Sequence, residues 1–259
     1  GREIWYNEDG TGKEHGTEVT AEMKAKYQKG RQSVWQYLRM TSIVNPHAEI
    51  IFVDPEGERH HWTRVTERLP TKVESIKPHP HGIELGQLQR MVAESKDLNL
   101  NHFLLNNFSG VTNRARKELC QAAEMEGTRK MKTVKGDDIR ALLESFQGER
   151  LFNGSPVKLL KPPTNCLSPI EEMLIKKGLS KTIDSRFVTT LTRVPSVTQG
   201  NPFQVEVGLI FGGGMAADKP VEILRFANRV PLMYQQGGCL LTKAIESVDW
   251  RQYGLDQPG

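Results

Sequence analysis

Cysteine is scarce in this sequence, which contains only three in 259 residues. Cys120, Cys166 and Cys239 lie far apart along the chain. An odd number of cysteines at such wide spacing excludes a disulfide framework and a clustered zinc site. The pattern is typical of reduced thiols, and we therefore expect a cytosolic protein.

Long hydrophobic runs are also missing. No apolar stretch approaches the roughly 20 residues that a membrane-spanning helix needs, and the polar start GREIWYNEDG lacks the apolar core of a signal peptide. We therefore expect no contact with membranes. The hydrophobic content of 37% and the charged content of 25% are typical of a folded chain with one or two domains. The formal charge of +4 arises from residues 150–259, and it permits contact with DNA without requiring it.

A Walker-type phosphate loop is absent from the glycine-rich start of the chain. The stretch EDGTGKEHG lacks the order of glycines, lysine and hydroxyl that such a loop needs, so we predict a turn. Alternation of Thr17, Val19 and Ala21 with polar residues predicts a strand over residues 15–23. A helix is predicted over residues 30–40 with Ser33 as a candidate cap, followed by a hairpin over residues 49–64.

Prolines mark residues 69–80 as a linker. This linker holds His79, and His81 follows it, but two histidines beside prolines, with no third ligand, do not make a metal site. We therefore predict no metal site. The pattern then becomes helical, and four helices are predicted over residues 82–96, 98–107, 113–126 and 137–146. A turn with helix-capping chemistry precedes the third of these helices, and three basic residues follow that turn: Arg114, Arg116 and Lys117.

The last part of the chain predicts a sheet backed by helices. Ser168 and Pro169 are suited to start a helix, which Gly178 would end. Strands are predicted over residues 187–193 and 203–213, and a third ends at Pro231. The second strand places four apolar side chains on one face: Phe203, Val205, Val207 and Leu209.

Lys243 follows the polar loop of residues 234–238 and lies on a helical stretch. Two adjacent glycines give the loop freedom to move, and a lysine on its flexible stem can reach a phosphate. Spacing alone nevertheless favours an ordinary solvated lysine.

The stretch RFANRVPLMYQQGGCLLTKAI, followed by DWRQYGL, resembles the transducer segment of the B-subunit family of DNA topoisomerase VI, a type IIB enzyme. Three further stretches agree with this family in the same order: KPHPHGIELG, LSPIEEMLIKKGL and GNPFQVEVGLIFGG. The resemblance covers nearly the whole chain, and four long matches in order are far more specific than a short motif.

The resemblance implies three domains and an α+β fold. Residues 1–68 would be the end of a GHKL (Bergerat) ATP-binding domain, and residues 69–148 a linker with a helix–two-turn–helix domain. Residues 149–259 would be a ribosomal-S5-like transducer domain, incomplete at its C-terminus. In some DNA-repair glycosylases the helix–two-turn–helix module contacts DNA phosphates, which makes Arg114, Arg116 and Lys117 candidate DNA-binding residues. The alternative is a stabilising insert with a solvated basic face.

The resemblance also implies function. Lys243 matches the family's transducer lysine, which contacts the γ-phosphate of ATP, and Gly16–Thr17 match the start of a strand beside the adenine. The cofactors implied are ATP and Mg²⁺. The partners implied are the DNA-cleaving A subunit of topoisomerase VI, double-stranded DNA and a second copy of the B subunit. The cytosol of an archaeon or a bacterium, close to the nucleoid, is the implied location.

The sequence lacks the family's Glu/Asn helix, its D-x-G-x-G adenine loop and its glycine-rich lid. We therefore expect the chain to be a truncated form and, alone, not to hydrolyse ATP. An alternative function remains open, namely that of a non-catalytic relative that serves as a scaffold for a DNA-cleaving partner.

Overall fold

Helices and short hairpins alternate in the computed structural model, which describes residues 11–12, 17, 19–215, 221–233 and 238–254. The helices are α1 (Val34–Val44), α2 (Leu85–Glu94), α3 (Leu100–Asn107), α4 (Asn113–Ala122), α5 (Gly136–Gln147), α6 (Glu172–Thr182) and α7 (Leu240–Glu246). The strands are β1 (Ile50–Val53), β2 (Arg59–Trp62), β3 (Phe187–Thr192), β4 (Ser196–Thr198), β5 (Asn201–Phe203), β6 (Glu206–Phe211), β7 (Phe226–Ala227) and β8 (Val230–Pro231). This mixture confirms the helix-plus-sheet composition. Across the described ranges, no helix is long and apolar enough to cross a bilayer.

The strands form four antiparallel pairs in the described part of the chain: β1–β2, β3–β6, β4–β5 and β7–β8. The predicted hairpin is confirmed, with Ile50 opposite Trp62 and Val53 opposite Arg59. Its turn relies on Gly57, whose φ of +86° is a conformation that glycine adopts readily.

The predicted strand over residues 15–23 is wrong for its described part. Thr17 and residues 19–29 have no regular secondary structure, and Val19 and Met23 are exposed. A strand needs a neighbour that satisfies its backbone N–H and C=O groups, and no described strand pairs with these residues. His15, Gly16 and Glu18 lie outside the described residues.

Helices α2 to α5 surround the larger of two hydrophobic cores. Phe108 packs edge-on against Phe103 and Phe146, with ring centroids 5.6 and 5.0 Å apart. The four predicted helices are confirmed here, with ends that differ by a few residues. Asn99 and Thr112 cap α3 and α4, because each side chain accepts a backbone N–H of the first turn.

A second, smaller core joins the early and late parts of the chain. Ile43 and Val44 at the end of α1 pack with Ile170, Ile175 and Leu179 of the α6 region. Arg68 also donates two hydrogen bonds, of 2.9 and 2.8 Å, to the Glu171 carboxylate. Residues on both sides of the linker therefore share one core.

The predicted ends of the α6 helix are wrong. Ser168 does not cap it, and the helix begins only at Glu172. The Glu206 carboxylate accepts the backbone N–H groups of Ile170 and Glu171, both at 2.8 Å, which holds this segment in a non-helical conformation. Gly178 lies inside the helix, where a Cβ would collide with the carbonyl oxygen of Ile43. Glycine here permits close packing of α1 and α6.

Two predictions for the last strands need correction. The stretch that ends at Pro231 is a hairpin, because Asn228 and Arg229 both have positive φ and turn the chain between β7 and β8. Phe203 belongs to a separate strand, β5, whereas Val207 and Leu209 lie in β6. The face formed by Val205, Val207 and Leu209 is solvent-exposed, since α6 packs on the opposite face, against Gly208.

Candidate functional site

Lys243 lies on helix α7, as predicted, and its side chain is exposed. Within the described ranges its ammonium group makes neither an ion pair nor a hydrogen bond. The loop before α7 is described only from Gly238 onward. The side chain is therefore available to an anion.

A buried hydrogen bond fixes helix α7. The Arg225 guanidinium donates to the Thr242 hydroxyl at 3.0 Å, and both residues are buried, with 5% and 7% exposure. Successive residues of an α-helix point about 100° apart. Holding Thr242 inward therefore turns its neighbour Lys243 outward. Arg225 was not identified from the sequence, although an arginine in an otherwise apolar strand-like stretch was a usable signal.

Cys239 is the residue immediately before α7. The backbone N–H of Thr242 is the main cause that lowers the pKa of the Cys239 thiol, and the Arg225 charge acts in the same direction. Burial instead raises the pKa of the Cys120 thiol. The start of α7 therefore stabilises the thiolate form of Cys239.

An open cleft of about 450 Å³ lies beside Arg225. One wall is the start of α1 with residues 28–33, and the other is formed by residues 222–225, 232 and 233. Its charged side chains are Lys29, Arg31, Glu222 and Arg225, so positive charge predominates. Its size is that of small-molecule sites, but Lys243 does not line it.

Of the two predicted adenine-side residues, the structure describes only Thr17. Thr17 is exposed and irregular, and Gly16 lies outside the described residues. Their role in nucleotide binding stays a prediction.

Arg229 joins α1 to the segment before α6. Its guanidinium donates to the carbonyl oxygens of Val44, Ser168 and Pro169 at 3.4, 3.3 and 3.0 Å. Burial lowers the pKa of Arg229, and the nearby Glu206 carboxylate opposes that shift. Arg229 and Glu206 together hold residues 168–171, and neither was identified from the sequence.

The three basic residues of α4 have different surroundings. Arg114 is exposed, but it donates a 2.7 Å hydrogen bond to Glu118, which raises the pKa of the arginine. Lys117 is exposed and Arg116 is half-buried. In the described structure Arg116 and Lys117 make no ion pair, and Arg114 is partly neutralised by Glu118. Arg129, in the following loop, is committed to Asp138 through bonds of 2.9 and 2.7 Å.

His79 has a structural role. Its Nε2 donates to the Leu160 carbonyl oxygen at 2.9 Å, and its Nδ1 accepts the His81 backbone N–H at 3.3 Å. Both ring nitrogens are used. A different cluster was overlooked in the sequence. It is formed by Asp54, Glu58 and His60 in the first hairpin, whose ligand atoms lie within 4.8 Å of one another.

Similarity to known proteins identifies the family. Residues 162–259 match the family model described as topoisomerase VI B subunit, transducer. The chain is similar to proteins named as B subunits of type 2 DNA topoisomerase 6. Identity is 46% to the protein from Methanococcoides burtonii, over 95% of this chain and 38% of that protein. Identity to the protein from Archaeoglobus fulgidus is 43%, over 99% of this chain and 40% of that protein. Identity to the protein from Saccharolobus islandicus is 31%, over 93% of this chain and 44% of that protein.

The chain thus spans about two fifths of the length of these relatives. The transducer match contains both Arg225 and Lys243, and the similarity to whole B subunits extends upstream through the helical core and the first hairpin. The chain belongs to the family of topoisomerase VI B subunits.

Proposed function

We propose that this chain is part of the ATP-binding B subunit of a type IIB DNA topoisomerase. In the complete enzyme it would couple ATP binding and hydrolysis to double-strand cleavage, strand passage and relaxation of supercoils. The proposal is supported by the transducer match over residues 162–259. It is also supported by the exposed Lys243, which makes no ion pair with any residue that the structure describes and lies on a helix that Thr242 anchors.

Lys243 would contact the γ-phosphate of bound ATP. An ammonium aimed at a transferring phosphoryl group stabilises the charge that develops there, and such an interaction can contribute several kcal/mol in a closed site. The cofactors would be ATP and Mg²⁺, with Gly16 and Thr17 near the adenine. We expect the ligands of Mg²⁺ in a part of the complete protein that this chain does not include.

A change in the bound nucleotide would affect the rest of the molecule through the hydrogen bonds of Arg225 and Arg229. Thr242 is bonded to Arg225, which is three residues before the β7–β8 turn that holds Arg229. Arg229 in turn bonds the end of α1 and the segment before α6. A shift of α7 on nucleotide binding would therefore be transmitted to the smaller core. The proposed partners are the DNA-cleaving A subunit, a second copy of the B subunit, and double-stranded DNA.

Steady-state ATPase and plasmid relaxation, measured on the complete B subunit reconstituted with its DNA-cleaving partner, test this function. Lys243→Ala should lower both rates strongly, whereas Lys176→Ala, a matched change of an exposed lysine on α6, should not. Arginine keeps the charge but not the compact ammonium, so Lys243→Arg should rescue the rates only in part. Normal rates for Lys243→Ala would contradict the proposal. Partner binding without any ATPase in the unmutated protein would favour the non-catalytic scaffold.

The basic residues on α4 would contact DNA phosphates without reading bases. Because Glu118 competes with DNA for Arg114, Glu118→Gln should tighten the binding of unrelated duplexes to the same extent. Lys117→Ala should weaken DNA binding, and the salt dependence of the binding constant should fall by the equivalent of about one phosphate contact. A strong preference for one duplex, lost in Arg114→Ala, would count against this role.

A further inference from the structure

Three potential metal ligands converge at the turn of the first hairpin. Asp54 opens the turn, Glu58 follows it, and His60 lies in β2. Their nearest ligand atoms all lie within 4.8 Å of one another. The imidazole Nε2 of His60 is 3.8 Å from Asp54 Oδ2 and 3.8 Å from Glu58 Oε2.

Two atoms of this cluster are buried without a hydrogen bond. The Asp54 side chain is fully buried, and its Oδ1 accepts the Glu58 backbone N–H at 2.8 Å. Its other oxygen, Oδ2, and His60 Nε2 have no hydrogen-bond partner among the described residues. A cation between them would satisfy both.

A protein cation already approaches the same place. Lys29 Nζ lies 3.4 Å from Asp54 Oδ2, 3.6 Å from Glu58 Oε2 and 4.0 Å from Glu56 Oε2. Its side chain is 61% exposed and belongs to the irregular segment over residues 19–29. Little packing would therefore be lost if the ammonium moved out into solvent.

The electrostatics agree with a cation-binding site. Burial alone would raise the pKa of Asp54, but the Glu58 backbone N–H and the Lys29 ammonium hold it below its usual range. The pKa of Lys29 is raised, chiefly by its interaction with Asp54. The Lys29 ammonium therefore lies where a bound cation would contact the carboxylates of Asp54 and Glu58.

The imidazole of His60 is held in place by aromatic rings. It lies nearly parallel to the rings of Phe52, its partner across the hairpin, and Trp62, with centroids 5.9 and 6.1 Å away and interplanar angles of 17° and 19°. Trp35 packs against its edge at 6.0 Å. The ring therefore needs no ordering when it binds an ion, which lowers the entropic cost of binding.

We propose that Asp54, Glu58 and His60 form a site for a divalent transition-metal ion of the Zn²⁺ type, which replaces the Lys29 ammonium. One imidazole and two carboxylates suit Zn²⁺ better than Mg²⁺ or Ca²⁺, which prefer oxygen ligands. Zn²⁺ bonds of about 2.0–2.2 Å in tetrahedral geometry place ligand atoms roughly 3.3–3.5 Å apart. The present 3.8 Å separations need only a small inward movement, and the exposed Glu58 side chain can make it.

Calorimetric titration of the whole chain with zinc chloride tests the proposal. We expect one ion per chain, and at least tenfold weaker binding in Glu58→Gln and His60→Gln. Glu58→Gln keeps the backbone N–H that Asp54 accepts, so it tests the site even if His60→Gln disturbs the aromatic stack. Lys29→Gln should tighten binding because it removes the competing cation. His102→Gln, a change of an exposed histidine on α3, should leave binding unchanged.

A second readout uses Trp35 and Trp62, which lie beside the imidazole. Co²⁺ bound at His60 should quench tryptophan fluorescence, and Zn²⁺ should reverse the quenching by competition. Equal Zn²⁺ affinity in the unmutated chain, Glu58→Gln and His60→Gln would overturn the proposal. The proposal would also be overturned if Lys29→Gln bound Zn²⁺ no more tightly than the unmutated chain.

Discussion

At the scale of single residues, Thr242 and Lys243 are chain neighbours with opposite environments. Thr242 is buried against Arg225, and Lys243 is exposed. Substitution of a solvent-exposed residue that makes no specific contact usually changes stability by no more than about 0.5 kcal/mol. We therefore attribute any large effect of replacing Lys243 on activity or nucleotide binding to the contacts of this side chain with a ligand.

The two cysteine environments give a prediction at the same scale. Because the pKa of Cys239 is lowered while that of buried Cys120 is raised, iodoacetamide at pH 7.5 should modify Cys239 well before Cys120. The thiolate is the reactive form, and access is also greater at Cys239. Peptide mass spectrometry after timed quenching measures both rates. Modification of Cys120 first, in folded protein, would contradict these environments.

At the scale of elements, α6 depends on one glycine for its packing on α1. Gly178→Ala would press a Cβ into the Ile43 carbonyl group, and we expect a loss of about 1–3 kcal/mol in the free energy of unfolding, as for overpacked cores. Gly86→Ala is the matched control, since this exposed position in α2 has open space around it. There the change should be neutral or stabilising by up to about 1 kcal/mol.

Urea denaturation of the two variants measures both effects. Similar free energies of unfolding for Gly178→Ala and the unmutated chain would mean that α1 and α6 do not pack as closely as described.

Local periodicity was enough to predict the helices of the larger core and the first hairpin. Those elements are stabilised by their own apolar faces, caps and turn residues, such as Thr112 and Gly57. The start of α6 could not be predicted in this way. Ser168 and Pro169 carry good starting signals, but Glu206 and Arg229, distant in sequence, bind the segment in another conformation.

In the candidate site, too, some residues could be predicted from local sequence and others could not. Lys243 was found because a long stretch around it resembles a known family, and its position on a helix followed from periodicity. Arg225, Arg229 and the cluster at Asp54 depend on contacts between residues far apart in sequence or across a turn. A single sequence does not contain that information in local form.

At the scale of the whole molecule, His79 connects several parts of the chain. Its ring bonds Leu160, and it packs so close to Gly110 and Gly200 that a Cβ at either glycine would collide with it. Burial lowers the pKa of His79, and the hydrogen bond to Leu160 only partly opposes this. One neutral imidazole thus contacts the larger core, residue 160 and the β4–β5 turn.

This arrangement predicts a loss of stability in mild acid. The unfolded chain takes up a proton at the ordinary histidine pKa of about 6.5, whereas folded His79 resists protonation until a lower pH. Its contribution is therefore complete above about pH 6.5 and is lost as the pH falls towards the depressed pKa. The free energy of unfolding, measured by urea denaturation, should be lower at pH 5.5 than at pH 7.5.

His79→Gln should reduce that pH dependence, and His102→Gln should not. Some dependence should remain in the first variant, since burial also lowers the pKa of His47. An unchanged pH slope in His79→Gln would show that this imidazole is not the buried neutral group described.

The central claim, that Lys243 contacts the γ-phosphate, is tested most directly by nucleotide affinities. In the complete protein, the binding of a non-hydrolysable ATP analogue should be weakened at least tenfold by Lys243→Ala, while the binding of ADP should hardly change. The melting temperature without nucleotide should stay close to that of the unmutated protein, because the side chain is exposed. Equal losses for ADP and the analogue, or no loss for either, would contradict the account.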